Sequence, residues 1–177
     1  MDRFIKQKPS ATIKVKNNIV YKIFNGGFFP ACLTSEEWEK DYNNLRDINP
    51  HFVKILECNR TEKYISMPYI PVQPINETNF RTKHLYQTLQ LIKDMMMFAE
   101  ERNGFIHTDF HCENLMVNTD TGNIIVLDPD SFYYKITGKW SEWYHIKTEY
   151  EIDETIRRLM RYWFHRKRNI YEEIKKC

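Results

Sequence analysis

The stretch between residues 83 and 128 constrains this chain more than any other. From Lys83 to Arg102, Leu85, Leu89, Ile92, Met96 and Ala99 recur at helical spacing and predict one long helix with an apolar face. The methionines at 95–97 are expected to pack in the core. Asn103-Gly104, two residues that tolerate left-handed backbone, end the helix. The loop GFIHTDFHCENLMV then sets His, Asp, His, Glu and Asn between apolar runs. Leu115 to Val117 and Ile124 to Leu127 read as paired strands around the turn NTDTGN, and the return strand ends at Asp128. A hairpin following that loop brings Asp128 back beside Asp109 and Asn114.

That convergence allows chemistry. A carboxylate, an amide oxygen and a second carboxylate suit Mg²⁺, a hard cation that takes oxygen ligands and shares them with phosphate. The remaining carboxylate can accept a proton from an attacking hydroxyl. By spacing alone the same residues equally fit a set of turn-forming Asx side chains.

Upstream, ATIKVK and IVYKIF read as two strands joined by a tight Asn17-Asn18 turn. A helix follows in GGFFPACLTSEEWEKDYNNLRDINP. Thr34 or Ser35 caps it, Glu36 and Glu37 suit its positive end, Trp38, Tyr42, Leu45 and Ile48 repeat at helical spacing, and Pro50 stops it. FVKILEC and KYISMPYI read as further strands, and PVQPINETNF as a linker between two halves. Downstream lie an aromatic segment, KWSEWYHI, and a helical tail from about Ile152 to Ile174. Ile152, Ile156, Leu159 and Trp163 form its apolar stripe, with Arg157, Arg158, Arg161, Arg166, Lys167 and Arg168 off it.

Composition narrows the functional class. With 26 basic and 24 acidic residues among 177, the chain carries a net charge of +2, which gives no case for nucleic acid or a membrane surface. A 42% hydrophobic content supports a packed core. The four cysteines, Cys32, Cys58, Cys112 and Cys177, form no CxxC pair and read as reduced thiols. No apolar run approaches a bilayer span, so a soluble, cytoplasmic protein is expected, or one of a host's cytoplasm if it is viral or a secreted effector.

HTDFHCENLMV resembles the catalytic loop of the eukaryotic-like protein kinases, His-Arg-Asp-Leu-Lys-Pro-Glu-Asn, with His107, Asp109, Glu113 and Asn114 in register. LDPDSF is similar to the segment bearing the metal-binding Asp-Phe-Gly, with Pro129-Asp130 in place of Phe-Gly. Lys22 in VYKIF resembles the strand lysine that holds the α- and β-phosphates, and KYISMPYI the strand leading to the hinge. The resemblance runs over about residues 10–135, in the order strand lysine, acidic helix, hinge, long helix, catalytic loop and metal aspartate. It implies an α+β, bilobal protein-kinase-like fold with a small antiparallel N-lobe and a shortened, mainly helical C-lobe. The whole chain is then one domain: 1–70 the N-lobe, 71–80 the hinge and 81–177 the C-lobe.

The resemblance also implies a minimal Ser/Thr protein kinase using ATP and Mg²⁺. Asp109 would take the substrate proton, with His111 and Lys22 as further catalytic groups and Asn114 and Asp128 as metal ligands. Lys22, Asp41, Met67, Tyr69, Asn114 and Asp128 would contact the cofactor. Asp41, or alternatively Glu37 or Glu39, would pair with Lys22. No Gly-x-Gly-x-x-Gly precedes Lys22, so phosphate cover falls to the Ser10-Ala11 backbone or to nothing. Thr108 replaces the arginine that reads an activation-loop phosphate, and His111 replaces a lysine. His107 is expected to organise the loop, and Cys112 to be inert packing. Only 49 residues follow Asp128, a truncation similar to that of kinases from bacteriophages and bacterial effectors. The expected partners are a protein substrate and an activating protein docked on the C-terminal region, through Trp140 to Tyr144 and the basic tail. A pseudokinase-like binding module and a small-molecule phosphotransferase are the alternatives.

Overall fold

The computed structural model describes residues 3–7, 10–25, 31–34, 36–75, 81–134, 147–161 and 163–164. The first half is built on a five-stranded antiparallel sheet of β1 (Arg3–Gln7), β2 (Ala11–Lys16), β3 (Ile19–Phe24), β4 (Glu57–Asn59) and β5 (Tyr64–Pro68), in the order β1-β2-β3-β5-β4. Asn17 and Asn18 have φ of 50° and 60°, the left-handed pair that a two-residue hairpin turn requires. Register is set there: Ile13 faces Lys22, and Lys22 faces Ile65 on β5. The strand alternation puts Lys22 on the same face as Phe24, and both are buried.

Helix α1 (Ala31–Thr34) leads into α2 (Glu36–Ile48). The expected cap, Thr34 or Ser35, lies outside the described side chains. Trp38, Tyr42 and Leu45 are buried as their spacing predicts, but Ile48 is exposed, because the last turn of α2 clears the core. Trp38 Nε1 donates to Phe132 O at 2.8 Å, and Tyr42 Oη donates to Val53 O at 2.7 Å, so the helix is tied at two levels. The expected strand FVKILEC is regular only at β4. Phe52 instead forms an isolated parallel bridge with Val126.

In the second half, β6 (Val72–Pro74), α3 (Thr82–Glu101), β7 (Ile106–His107), β8 (Leu115–Asn118), β9 (Ile124–Val126) and β10 (Phe132–Tyr133) follow in order. The sheet order β6-β8-β9 assigns residues 72–74, expected to be linker, to the second half. Residues 76–80 of the expected linker lie outside the described residues. Helix α3 ends as predicted. Asn103 and Gly104 have φ of 49° and 72°, and Gly104 N–H donates to Ala99 O at 2.8 Å. Its buried face differs from the expected one: Leu85, Thr88, Leu91, Ile92, Met95 and Phe98 are buried, whereas Leu89, Met96 and Met97 are exposed. The helix turns the Leu91–Met95 side to its neighbours, so only one of the three methionines reaches the core.

The last described helix, α4 (147–161), carries Ile152 and Leu159 into the core, with Ile156 and Trp163 packed against it. Arg157 and Arg158 pair with Asp153 and Glu154 one turn back, while 165–177 and Trp140 to Tyr144 lie outside the described residues. No helix among the described residues is long and apolar enough to cross a membrane. The cysteines at 32, 58 and 112 are free thiols, and burial pushes the Cys112 thiol up, consistent with packing.

An aromatic core joins the two halves directly beneath the polar loop. Phe105 stacks on Phe132 with centroids 5.2 Å apart and meets Tyr134 at 4.9 Å. Trp38 stacks on Tyr42 at 5.2 Å, and Phe52 and Tyr42 both meet Phe132 edge-on. These contacts clamp α2, the loop before β7 and the segment after β9 into one unit.

Candidate active site

The loop 107–114 is held by hydrogen bonds from its own polar residues. His107 is fully buried. Its Nδ1 accepts the Asp109 N–H at 3.2 Å, and its Nε2 meets Leu127 O at 3.2 Å. These partners require a neutral ring protonated on Nε2, and burial lowers its pKa to about 4. His107 therefore organises the loop. Thr108 adds a second tie, its N–H and its hydroxyl both donating to Ser131 O at 2.9 Å.

Asn114 Nδ2 donates to Asp109 O at 2.8 Å and lies 3.3 Å from Asp109 Oδ2. With its amide nitrogen turned into the loop, Oδ1 is the atom left to serve a ligand. Leu127 N–H donates to Asn114 O at 2.9 Å, which sets Asp128 beside the loop as the hairpin predicts. Asp109 is itself partly exposed, with His111 Nε2 at 3.4 Å from Oδ2.

Lys22 enters this cluster from β3. Its Nζ lies 2.7 Å from Asp130 Oδ1 and 3.2 Å from Asp128 Oδ1. The Lys22 and Asp130 side chains are 10% and 8% exposed and that of Asp128 is 28% exposed, so the lysine and Asp130 are closed in while Asp128 opens to solvent. Burial pulls the Lys22 pKa down, but the Asp130 and Asp128 carboxylates more than offset it, and the ammonium is held charged. Burial, aided by Asp128, pushes Asp130 above the usual carboxylate value against the opposing pull of Lys22.

The acid beside Lys22 is not the one expected from α2. Asp41 is buried, accepts the Tyr134 hydroxyl at 2.9 Å and has Arg102 Nε at 3.8 Å. Glu39 lies near Arg60 at 3.8 Å, and Glu37 is exposed. Asp41 is drawn away because β10 pairs with β7, which carries Tyr134 to α2. Met67 is buried in the core opposite Val20, and the N–H of Tyr69, the other expected cofactor contact on this segment, is taken by Asn18 O at 2.8 Å. Ser10 O accepts the Asn25 N–H at 2.9 Å, which ties down the Ser10-Ala11 backbone expected to cover phosphate.

Two residues near the site carried no role in the sequence reading. Asp130 could have been suspected from the doubled acid in LDPDSF. Lys147, at the start of α4, lies 3.8 Å from Asp109 Oδ1 and 3.3 Å from Glu151, and no local pattern announces it. Among the described residues no group of three or more His, Cys, Asp and Glu side chains could hold a metal. The donor set Asp128, Asn114 nonetheless fits Mg²⁺, which binds through one or two protein oxygens and fills its shell with phosphate and water.

No protein-family model matches the chain, and no curated protein does. Solved structures do match. The Legionella pneumophila Lpg2603 kinase bound to IP6 aligns with TM-score 0.56 at 18% identity, over 85% of this chain and 56% of that one. The Rio2 kinase–ADP/Mg²⁺–phosphoaspartate complex from Chaetomium thermophilum aligns at 0.55 and 15%, over 93% and 55%. The choline kinase LicA from Streptococcus pneumoniae aligns at 0.50 and 12%, over 93% and 74%. The chain thus spans little more than half the length of the first two. At these identities the likeness establishes the fold, and the fold is protein-kinase-like.

Proposed function

We propose that the protein is a minimal phosphotransferase that moves the γ-phosphate of ATP to a Ser or Thr hydroxyl of a protein. The observation that carries this reading is that the Lys22–Asp128 ion pair and the Asp109–Asn114 hydrogen bond lie on segments joined by the Leu127 N–H to Asn114 O bond. Asp109 Oδ is the proton acceptor for the attacking hydroxyl, and its orientation is fixed by the Asn114 amide and the His107-braced backbone. The Lys22 ammonium offers a fixed positive charge to the α- and β-phosphates. Asn114 and Asp128 would hold Mg²⁺, which would supply positive charge to offset that of the phosphates. His111 and Lys147, both near Asp109, add positive or hydrogen-bonding character where charge develops on the transferred group.

ADP and Mg²⁺ are present in the Rio2 complex of the same fold, which supports this choice of cofactors. The shared fold of LicA favours a second reading, a small hydroxyl-bearing acceptor in place of a protein. The test is incubation with γ-labelled ATP and Mg²⁺, alone and with lysate, beside Asp109→Ala and Asp128→Ala. Label on protein that is lost in both variants supports the protein kinase, and label only on a small molecule supports the second reading. If the wild type neither binds nucleotide nor transfers label, the phosphotransferase reading fails.

A further inference from the structure

We propose that Asp130, rather than an acid of α2, is the positioning residue for Lys22, which leaves Asp128 to serve the metal. The inference rests on the phosphotransferase reading and adds a division of labour within its site. Among the described residues the acids within ion-pair distance of Lys22 are Asp130 at 2.7 Å and Asp128 at 3.2 Å. Their environments differ. Asp130 is enclosed with the lysine, while Asp128 is the carboxylate that an incoming ligand can reach. When Asp128 turns to a bound cation, Asp130 remains as the carboxylate that aims the ammonium.

The backbone supports that role. Asp128 adopts φ 56° and ψ 59°, and the following 3₁₀ turn, Pro129–Ser131, starts on proline. Ser131 N–H donates to Asp128 O at 3.0 Å, which closes the turn and brings both carboxylates onto one lysine. Ser131 O in turn accepts both Thr108 donors, so the turn is bolted to the loop that carries Asp109. The position of Lys22 is thereby referenced to the catalytic loop.

Helix α2 is left with other work. Asp41 engages Tyr134 and Arg102, and Trp38 donates to Phe132 O. Among the described residues no acid of α2 therefore takes part in the Lys22 ion pair. The lysine is set by a turn within the site itself.

The test compares wild type with Asp130→Asn, Asp130→Glu and Asp41→Asn. Adenosine, ADP and ATP affinities are measured with Mg²⁺, together with kcat and KM. Asp130→Asn should lower kcat at least tenfold and weaken ADP several-fold while adenosine binding holds, because only the phosphate contact is disturbed. Asp130→Glu should recover part of the loss, and Asp41→Asn should cost less than Asp130→Asn. A kcat within twofold of wild type for Asp130→Asn, or tighter ADP binding, would overturn the proposal, because Asp130 would then be a mere competitor for the lysine. If Asp130→Asn does not fold, amine acylation of unliganded wild type and Asp128→Asn decides. Lys22 should stay as protected in Asp128→Asn as in wild type, because Asp130 still holds it, and a rise toward the rates of the exposed Lys40 and Lys54 in that variant would refute the pairing. That measurement uses no nucleotide, so it tests Asp130 separately from the functional reading, which fails if the wild type binds no nucleotide at all.

Discussion

Acidification should weaken this protein chiefly through the buried imidazole of His107. His107 accepts from the Asp109 N–H and meets Leu127 O, so the folded state requires it neutral. Burial lowers its pKa from 6.5 to about 4. The unfolded chain takes up the proton near pH 6.5 and the folded chain only near 4, so stability is fully present above about pH 6.5 and is lost as pH falls toward 4. At about 1.4 kcal/mol per pH unit, that displacement is worth about 3 kcal/mol, a large share of a small domain's stability. His51, also lowered by burial, contributes with the same sign, so the His107 share is read by difference. Urea midpoints at pH 8 and pH 4 are compared for wild type and His107→Asn. The variant loses a hydrogen bond and starts less stable, but its loss on acidification should be smaller by about 3 kcal/mol. Equal losses in both proteins, or an imidazole signal for His107 titrating near pH 6.5 in the folded state, would refute this account of the loop.

Two further perturbations probe the scaffold. Phe105→Ala removes the ring that contacts Phe132, Tyr134, Trp38 and Phe98, and should cost about 3–5 kcal/mol in denaturant unfolding. Gly122→Ala places a Cβ at φ +65°, 3.2 Å from the mobile end of Lys83; the backbone strain should cost about 1 kcal/mol, read as a small drop in melting temperature.

The loop and its hairpin were legible in the sequence because their chemistry is contiguous. Asp109, Asn114 and Asp128 lie on one helix–loop–hairpin unit whose turns are announced by Asn103-Gly104 and by Gly122. The partner of Lys22 was not legible. Asp130 lies 108 positions away, and only the pairing of β10 with β7 reveals that Tyr134 claims Asp41 while the preceding turn delivers Asp130. The phase of α3 was misread for a similar reason. Leu89 and Met96 are as apolar as Leu91 and Met95, and periodicity cannot say which side meets the hairpin. FVKILEC gave way to an irregular run because Phe52 and Val53 are buried against β9 and α2 rather than along a strand partner.

On the proposed function, Lys22, Asn114 and Asp128 together hold a metal–nucleotide. The most direct test is the dissociation constant of ATP with and without Mg²⁺, for wild type and Asp128→Asn. The account predicts that Mg²⁺ tightens ATP binding to the wild type at least tenfold and that Asp128→Asn abolishes most of that gain. ATP binding that is absent, or equally tight without Mg²⁺ and in the variant, would contradict it.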